Sequence, residues 1–162
     1  MKTHSELMRD AREILRDTAG RYPEYAEVIN STGIEWNSRL RTTAGRGSSY
    51  LKRIQLSSVI FDHEQNQDSF RNTVLHELAH VLAGCEHHHN YVWRMVARRI
   101  GCNAQRTHRM AVKRRPGGTA TCLRCGQDMK LGPVQYGRHM AIVRKGGQGY
   151  SHRRCPRARS FS

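Results

Sequence analysis

The chain has 162 residues, a formal net charge of +15 at pH 7 and a hydrophobic content of 37%. This length allows one ordinary domain and a small satellite, whereas the low hydrophobic content argues against a single packed globule. No apolar run approaches the roughly 18 residues of a spanning helix, and the charged N-terminus lacks the apolar core of an export signal. Five cysteines, an odd number, favour metal binding in a reducing compartment over a disulfide scaffold.

The positive charge lies almost entirely in the second half of the chain. Residues 1–86 carry 11 Lys/Arg and 12 Asp/Glu, whereas residues 87–162 carry 17 Lys/Arg and 1 acidic residue. Such a field attracts nucleic acid phosphates more than a membrane, because no basic amphipathic helix with a broad apolar face is present. We expect an intracellular protein, cytoplasmic, nucleoid-associated or viral and acting in a host cell, with nucleic acid as partner. A tail that only keeps the protein soluble is the alternative.

The N-terminal third predicts two helices. Thr3 and Glu6 can form a capping box for a helix over residues 3–18, whose apolar residues share one face. A second short helix is expected over residues 23–28, with proline at its start. The polar run at 62–68 predicts a solvated loop.

Between these helices and the loop, the period changes to that of a sheet. Apolar and polar residues alternate over 34–40, which predicts a strand, and residues 42–50 and 53–57 are compatible with two more. The run Gly45-Arg-Gly47 lacks the ending of a nucleotide phosphate loop, so we interpret it as turn geometry. The expected fold class is α+β, with a small antiparallel three-stranded sheet packed against helices.

The segment 72–84 contains His76-Glu-Leu-Ala-His80, the HExxH pattern of zinc hydrolases on an apolar, helix-forming background. Residues four apart lie on one face of a helix, so the two imidazoles can bind one cation while Glu77 points to its open side. A carboxylate in that place can take a proton from water and return it to a leaving amine. A buried helix that carries these residues by chance is the alternative.

The third metal ligand can be narrowed by elimination. The metzincin pattern fails, because Ala83 and Glu86 stand where it needs glycine and histidine. A downstream glutamate also fails, because Asp128 is the only acidic residue after Glu86. The helix ends at Gly84, and a tight turn could return one histidine to the metal. Three candidates remain: His87, His88 and His89.

Helical spacing resumes over residues 91–100 and stops at Gly101. Residues 106–121 are basic and contain Pro-Gly-Gly, which predicts a linker between a domain at 1–105 and another at 122–162. Three side chains on the other side of the 91–100 helix could line a nucleic acid channel or simply face solvent: Arg94, Arg98 and Arg99.

The C-terminal domain predicts a zinc ribbon. Two ligand-x-x-ligand knuckles bring four soft or borderline ligands to a tetrahedral cation: Cys122, Cys125, His152 and Cys155. His139 is the competing fourth ligand. Short strands are expected at 129–131 and 139–143, and the metal would stabilise a segment too small to fold by apolar burial alone.

At this point the residues resemble a known family, the SprT-like (Spartan) zinc metalloproteases. The resemblance covers most of residues 30–105, and a zinc ribbon follows in many members. It rests on five segments: WNSRLRTTAGRG at 36–47, IQLS at 54–57, HELAH at 76–80, HNYVW at 89–93 and ARRIG at 97–101.

The resemblance implies a third zinc ligand and a substrate class. The family's third ligand is a histidine four residues before an aromatic that opens the next helix, which corresponds to His89 and Trp93. The family usually has glycine on both sides of this histidine, whereas His88 and Asn90 flank it here. The eukaryotic members cleave proteins bound or crosslinked to DNA, so the implied substrates are DNA-associated proteins.

The sequence therefore predicts a monomeric zinc endopeptidase with an HExxH zincin helix and one catalytic and one structural zinc. His76, His80 and His89 are the catalytic zinc ligands, and Glu77 is the general base. A DNA-binding zinc protein or regulator, in which the HExxH site is only structural, is the alternative function. Nucleic acid, most simply DNA, is expected to contact six basic residues: Arg114, Arg115, Arg124, Lys130, Arg153 and Arg154.

Overall fold

The computed structural model describes residues 1–106, 110–112, 116–147 and 149. The chain divides into two compact units, residues 1–113 and 114–162. Among the described residues, none of the helices combines the length and apolar character needed to cross a bilayer.

The first unit contains six α-helices, three strands and a 3₁₀ turn within its described residues. In chain order these are α1 (His4–Arg21), α2 (Pro23–Asn30), β1 (Gly33–Trp36), β2 (Gly45–Ser48), β3 (Arg53–Leu56), α3 (Ser58–Phe61), α4 (Glu64–Gln67), α5 (Phe70–Ala83), the 3₁₀ turn Cys85–His87 and α6 (Tyr91–Arg99).

Helix α1 begins as the sequence predicts. The backbone N–H of Thr3 donates to the Glu6 carboxylate at 2.7 Å, and the Glu6 N–H donates to the Thr3 hydroxyl at 3.3 Å, which confirms the capping box. The helix continues to Arg21, three residues past the predicted end. Its apolar face, which includes the buried Leu7 and Ala11, packs into the core of the unit.

The three-stranded sheet has the order β1-β3-β2 and is mixed. β2 pairs with β3 antiparallel, but β1 pairs with β3 in parallel, so the prediction of an all-antiparallel sheet is wrong for one of the two pairings. The chain reverses over residues 37–44 and again over 49–52, and β3 then inserts between β1 and β2. Because of these two reversals, β3 runs in the same direction as β1.

Helix α5 lies against the edge strand β2 at a distance that only glycine permits. A Cβ on Gly45 would lie 2.7 Å from Cγ of Glu77. A Cβ on Gly47 would overlap the carbonyl oxygen of Glu77 and lie 3.1 Å from Cβ of His80. The glycines predicted to form a turn are therefore strand residues, and their role is close packing against the helix.

The segment 62–68 differs from the predicted solvated loop. It contains the single turn α4, and Asn66 is 2% exposed. The Asn66 amide N–H₂ donates to the carbonyls of Ile60 and Ala111, each at 2.8 Å, and its oxygen accepts from the Ala111 N–H at 2.9 Å. Residues 110–112, inside the predicted linker, are thereby held on the first unit.

The second unit contains an antiparallel hairpin of β4 (Gly118–Thr121) and β5 (Asp128–Leu131), followed by α7 (Pro133–Arg144). The predicted strand at 139–143 is wrong, because these residues lie in α7. Proline at the first helical position and a Gln135 side chain that accepts from the Gly132 N–H at 3.2 Å favour helix initiation there. Tyr136 packs against the small core of the hairpin.

Replacing Asn66 with alanine should lower the free energy of unfolding of the first unit by about 2 kcal/mol, because buried polar groups lose their partners. Urea titration followed by tryptophan fluorescence measures this, since both tryptophans, Trp36 and Trp93, lie in the first unit. Gln65→Ala, at the exposed neighbouring position, is the control and should change stability by less than about 0.5 kcal/mol. Equal midpoints for both variants would contradict the buried role of Asn66.

A methyl group at Gly47 should also destabilise the first unit, by about 1–3 kcal/mol, because the overlapping carbonyl oxygen belongs to the helix backbone. Gly33→Ala is the matched strand control, since nothing lies within 4 Å of a Cβ at Gly33. The same urea titration compares the two variants. Indistinguishable stabilities would show that β2 and α5 are not in close contact.

Candidate metal centre and active-site cleft

Helix α5 is buried on most sides. Its apolar residues include Val74, Leu75 and Leu78, each no more than 1% exposed. The helix ends at Gly84, which has φ of 95° and marks the predicted stop. His76, Glu77 and His80 therefore lie on a helix whose orientation is fixed by core packing.

A turn after Gly84 brings the chain back to α5. His88 adopts φ 44° and ψ −110°, a conformation that favours glycine and costs about 1–3 kcal/mol for another residue. Asn90 then caps α6, because its side-chain oxygen accepts from the N–H groups of Val92 at 2.9 Å and Trp93 at 3.3 Å. His89 lies between these two residues, and its side chain points towards α5.

Three imidazole nitrogens converge at this point. Nε2 of His89 lies 3.1 Å from Nε2 of His76 and 3.2 Å from Nε2 of His80. A zinc ion bound by imidazoles at about 2.0–2.1 Å holds tetrahedral ligands about 3.3 Å apart, so the observed spacing fits such an ion. Nε2 of His89 thus lies within hydrogen-bond distance of two other ring nitrogens. A cation shared by the three rings explains this grouping better than a chain of hydrogen bonds.

The histidine triplet contributes one member to this cluster. Among the described residues, the side chains grouped closely enough to hold one metal ion are His76, His80 and His89. His87 instead lies 3.3 Å from the Asn90 amide through Nδ1, and His88 is exposed at the turn.

Trp93 forms a common support for the three imidazoles. It is fully buried, and its ring centroid lies 4.7 Å from that of His76, 5.2 Å from His80 and 4.6 Å from His89. Side chains held against a rigid aromatic ring lose little rotamer freedom when they bind a cation. Trp93 therefore preorganises the candidate metal centre.

Burial favours the neutral form of two of these imidazoles, those of His80 and His89, and the neutral form is the one that binds metal. It lowers the pKa of His80 to about 4, with smaller contributions from His89 and His88. It also lowers the pKa of His89, with a further effect of the Arg106 charge. Neither ring needs to lose a proton before it binds a cation near neutral pH.

Glu77 lies beside the cluster and is 7% exposed. Burial raises the pKa of its carboxyl to about 7, whereas the N–H of Gly47, which donates to it, and the charge of Arg46 lower the pKa. A cation held by the adjacent histidines would favour the ionised form further. The side chain is therefore poised to exchange a proton near neutral pH.

The centre opens into a cleft of about 730 Å³. One wall is the edge strand β2, including Gly45 and Gly47, and the opposite wall includes Asn103, Arg106 and Met110. In the register of the sheet, the N–H and carbonyl groups of these two glycines point away from β3. The Gly47 carbonyl already accepts from a cysteine thiol at 3.7 Å, so the outward backbone groups that an extended peptide can reach beside the centre are those of Gly45.

The segment after α6 is tied to the base of α5. The Asn103 N–H donates to the Asn72 side-chain oxygen at 2.9 Å, and the Asn72 amide donates to the Asn103 side chain at 3.2 Å. With the contact between Asn66 and Ala111, this pair fixes both ends of the second wall. Neither Asn72 nor Asn103 belongs to a recognisable sequence motif, so the sequence does not predict this second wall of the cleft.

Of the four predicted ribbon ligands, the structure describes two. Cys122 is buried and Cys125 is half-buried, in a turn where Gly126 N–H donates to the Cys122 carbonyl at 2.8 Å. His152 and Cys155 lie outside the described residues. The ring of His139, the competing ligand, stacks on Tyr136 in α7 with centroids 6.2 Å apart.

The predicted nucleic acid contacts are only partly described. Arg124 and Lys130 are exposed, whereas four others lie outside the described residues: Arg114, Arg115, Arg153 and Arg154. Arg99 has a structural partner, since its guanidinium lies 2.6 Å from Glu24 and 5.8 Å from the Tyr22 ring.

Comparison with known proteins supplies one independent finding. Neither the curated proteins nor the solved structures contain a match to this chain. The family model described as the SprT-like family matches residues 8–114, which include α5, the turn with His89 and both walls of the cleft. The chain therefore belongs to the SprT-like family.

Proposed function

We propose that the protein is a zinc-dependent endopeptidase of SprT-like type that acts on proteins associated with, or crosslinked to, DNA. The observation that carries this proposal is the convergence of three imidazoles beside a buried carboxylate at an open cleft. DNA association rests on the charge of the second half of the chain and on the family resemblance.

Each group of the centre has a distinct role in peptide hydrolysis. His76, His80 and His89 would hold the zinc ion, which when bound supplies Lewis acidity and makes water more acidic. Glu77 accepts a proton from the attacking water and delivers it to the leaving amine. The backbone of β2 packs against the Glu77 side chain at Gly45 and so limits the directions in which the carboxylate can point.

The cleft suits an extended polypeptide. Strand β2 is at the edge of the sheet, and its outward N–H and carbonyl groups can pair with a substrate strand. Main-chain pairing of this kind makes few demands on substrate side chains. A protease that must cleave varied DNA-bound proteins would benefit from such recognition.

The ribbon would hold the second zinc ion and act in nucleic acid binding. Cys122 and Cys125 occupy a turn suited to a zinc knuckle, and we propose His152 and Cys155 as the remaining ligands. The adjacent basic residues would then contact phosphates.

A non-catalytic, structural role for the HExxH centre is the competing function. Structural zinc sites are closed by four protein ligands, whereas catalytic sites keep one position open. Within the described part of the chain, the ligand cluster at the cleft comprises three side chains. The open position favours the enzyme.

His89→Ala should remove one zinc ion per chain, because two histidines on α5 bind zinc much more weakly than three. His88→Gly is the matched neighbour and should retain that ion, since His88 is outside the ligand cluster. Metal content of the purified proteins, measured by atomic emission, checks both outcomes. Loss of zinc from His88→Gly but not from His89→Ala would reverse the assignment.

The His88→Gly variant also tests whether the backbone of the turn is strained at position 88. Glycine at position 88 accepts the observed φ of 44° without strain, so His88→Gly should raise stability by about 1 kcal/mol in the urea titration. Unchanged or lower stability would argue against the strained turn.

Glu77→Gln should retain both zinc ions and lose cleavage by about 10²–10⁴-fold, because the amide cannot accept the proton. Cleavage of a basic DNA-binding protein, with and without DNA, is followed by gel electrophoresis. Glu27→Gln, on the exposed face of α2, is the control and should cleave like the parent. If the Glu77→Gln protein cleaves at the parental rate, Glu77 is not the base.

A further inference from the structure

The helices of the first unit that contact its sheet, as far as this unit is described, pack on one face and leave the other uncovered by them. Ile54 and Leu56 point inward and are fully buried, and α1 and α5 pack on that side. The alternate residues of β3 point outward. Across the sheet, outward Gln55 lies between Glu35 of β1 and Arg46 of β2. We call this side, with the adjoining residues 37–41 and 50–52, the outer face.

The outer face is strongly basic. Residues 33–57 contain five basic residues and one acidic residue, whereas the rest of residues 1–86 contains six basic and eleven acidic residues. Glu35 is already occupied, since it accepts from Gln55 at 2.6 Å and lies 3.5 Å from Arg53. No described carboxylate lies within 4.0 Å of the remaining four cations: Arg39, Arg41, Arg46 and Lys52.

These four cations are distributed along the strands from one end of the sheet to the other. Arg39 and Arg41 follow β1, where Asn37 donates to Gln55 at 3.2 Å and fixes the start of the segment on the outer face. Arg46 lies in β2, and Lys52 lies at the hairpin tip at the opposite end. Four strand residues span roughly 13 Å, a length that covers several phosphates of an extended nucleic acid strand.

The hairpin tip adds an exposed aromatic side chain. Tyr50 is 93% exposed and the neighbouring Leu51 is 54% exposed. Exposed aromatic rings next to a basic groove are stacking platforms for unpaired bases. A duplex keeps its bases stacked and offers none to Tyr50, so the combination favours a single strand.

We propose that the outer face is a binding surface for single-stranded nucleic acid, in which Arg39, Arg46 and Lys52 contact phosphates and Tyr50 stacks on a base. Its residues are different from those of the predicted ribbon and linker. The inference rests on the proposed function, because β2 forms one wall of the cleft and Arg46 also lines it. A strand on the outer face would hold a DNA-bound substrate beside the metal centre.

The test compares two triple variants of the full chain that lose the same charge. Arg39, Arg46 and Lys52 are replaced by glutamine in the first, and the exposed Arg9, Arg12 and Arg16 of α1 are replaced by glutamine in the second. Binding to a labelled oligothymidylate is measured by fluorescence anisotropy over a series of salt concentrations. No substrate protein is present, so the result does not depend on proteolysis.

The outer-face variant should bind more weakly than the α1 variant, and the slope of log K against log salt should fall by about 2, since each lost phosphate contact contributes about 0.7. The α1 variant should keep the parental slope. If tryptophan fluorescence shows that the triple variant is unfolded, Arg46→Gln alone should lower the slope by about 0.7. Equal slopes for the outer-face and α1 variants would overturn the proposal and leave the ribbon as the binding site.

Tyr50→Ala tests the preference for a single strand. It should weaken binding of the oligothymidylate by about tenfold and change binding of a duplex little, because base stacking is lost only for unpaired bases. Equal losses for both ligands, or none for the oligothymidylate, would overturn that preference. If the parent binds no oligonucleotide, this inference and the DNA part of the proposed function both fail, whereas the peptidase assignment is still decided by Glu77→Gln.

Discussion

The close approach of strand β2 to helix α5 is the constraint on which the candidate site depends. Glycine at positions 45 and 47 lets the strand backbone lie directly against Glu77. This contact buries the carboxylate and brings the Gly47 N–H to it, and the same strand forms one wall of the cleft. A bulkier strand would move away from the helix, and Glu77 would then lose its donor and its shielding from water. The acid–base properties of the site are therefore a consequence of packing.

The metal centre shows how a local conformational cost is offset by the surrounding structure. His88 adopts a backbone conformation that favours glycine, yet the turn places His89 within 3.2 Å of the nitrogens on α5. The Asn90 cap and the buried ring of Trp93 hold the chain on the far side of the turn. Since both flanks are fixed, the chain keeps this turn geometry with histidine at position 88. Metal binding would add to this constraint.

The sequence predicted the features that depend on local spacing, and it missed those that depend on strand order and packing partners. The two histidines of the α5 motif are four residues apart, and the α1 cap involves Thr3 and Glu6. A short stretch of sequence is therefore enough to show both features. Parallel pairing of β1 with β3 depends on where a later strand inserts, which alternation cannot show. The sequence places Asn66 in a solvated loop, because its partner Ala111 lies 45 residues away and no local pattern reveals the contact.

The distribution of charge in the first unit also depends on packing and is not visible from the sequence alone, and it bears on function. Counted along the chain, residues 1–86 are almost neutral, because acidic helices and a basic sheet cancel. Folding separates them, since the sheet turns Arg46 outward and the glycines on either side of it towards Glu77. Alternation along β2 thus turns a cation outward at the border of the cleft, which Arg46 also lines, and turns the two glycines inward against Glu77. Because Arg46 both faces outward and borders the cleft, a nucleic acid strand held by this residue would lie next to the candidate metal centre.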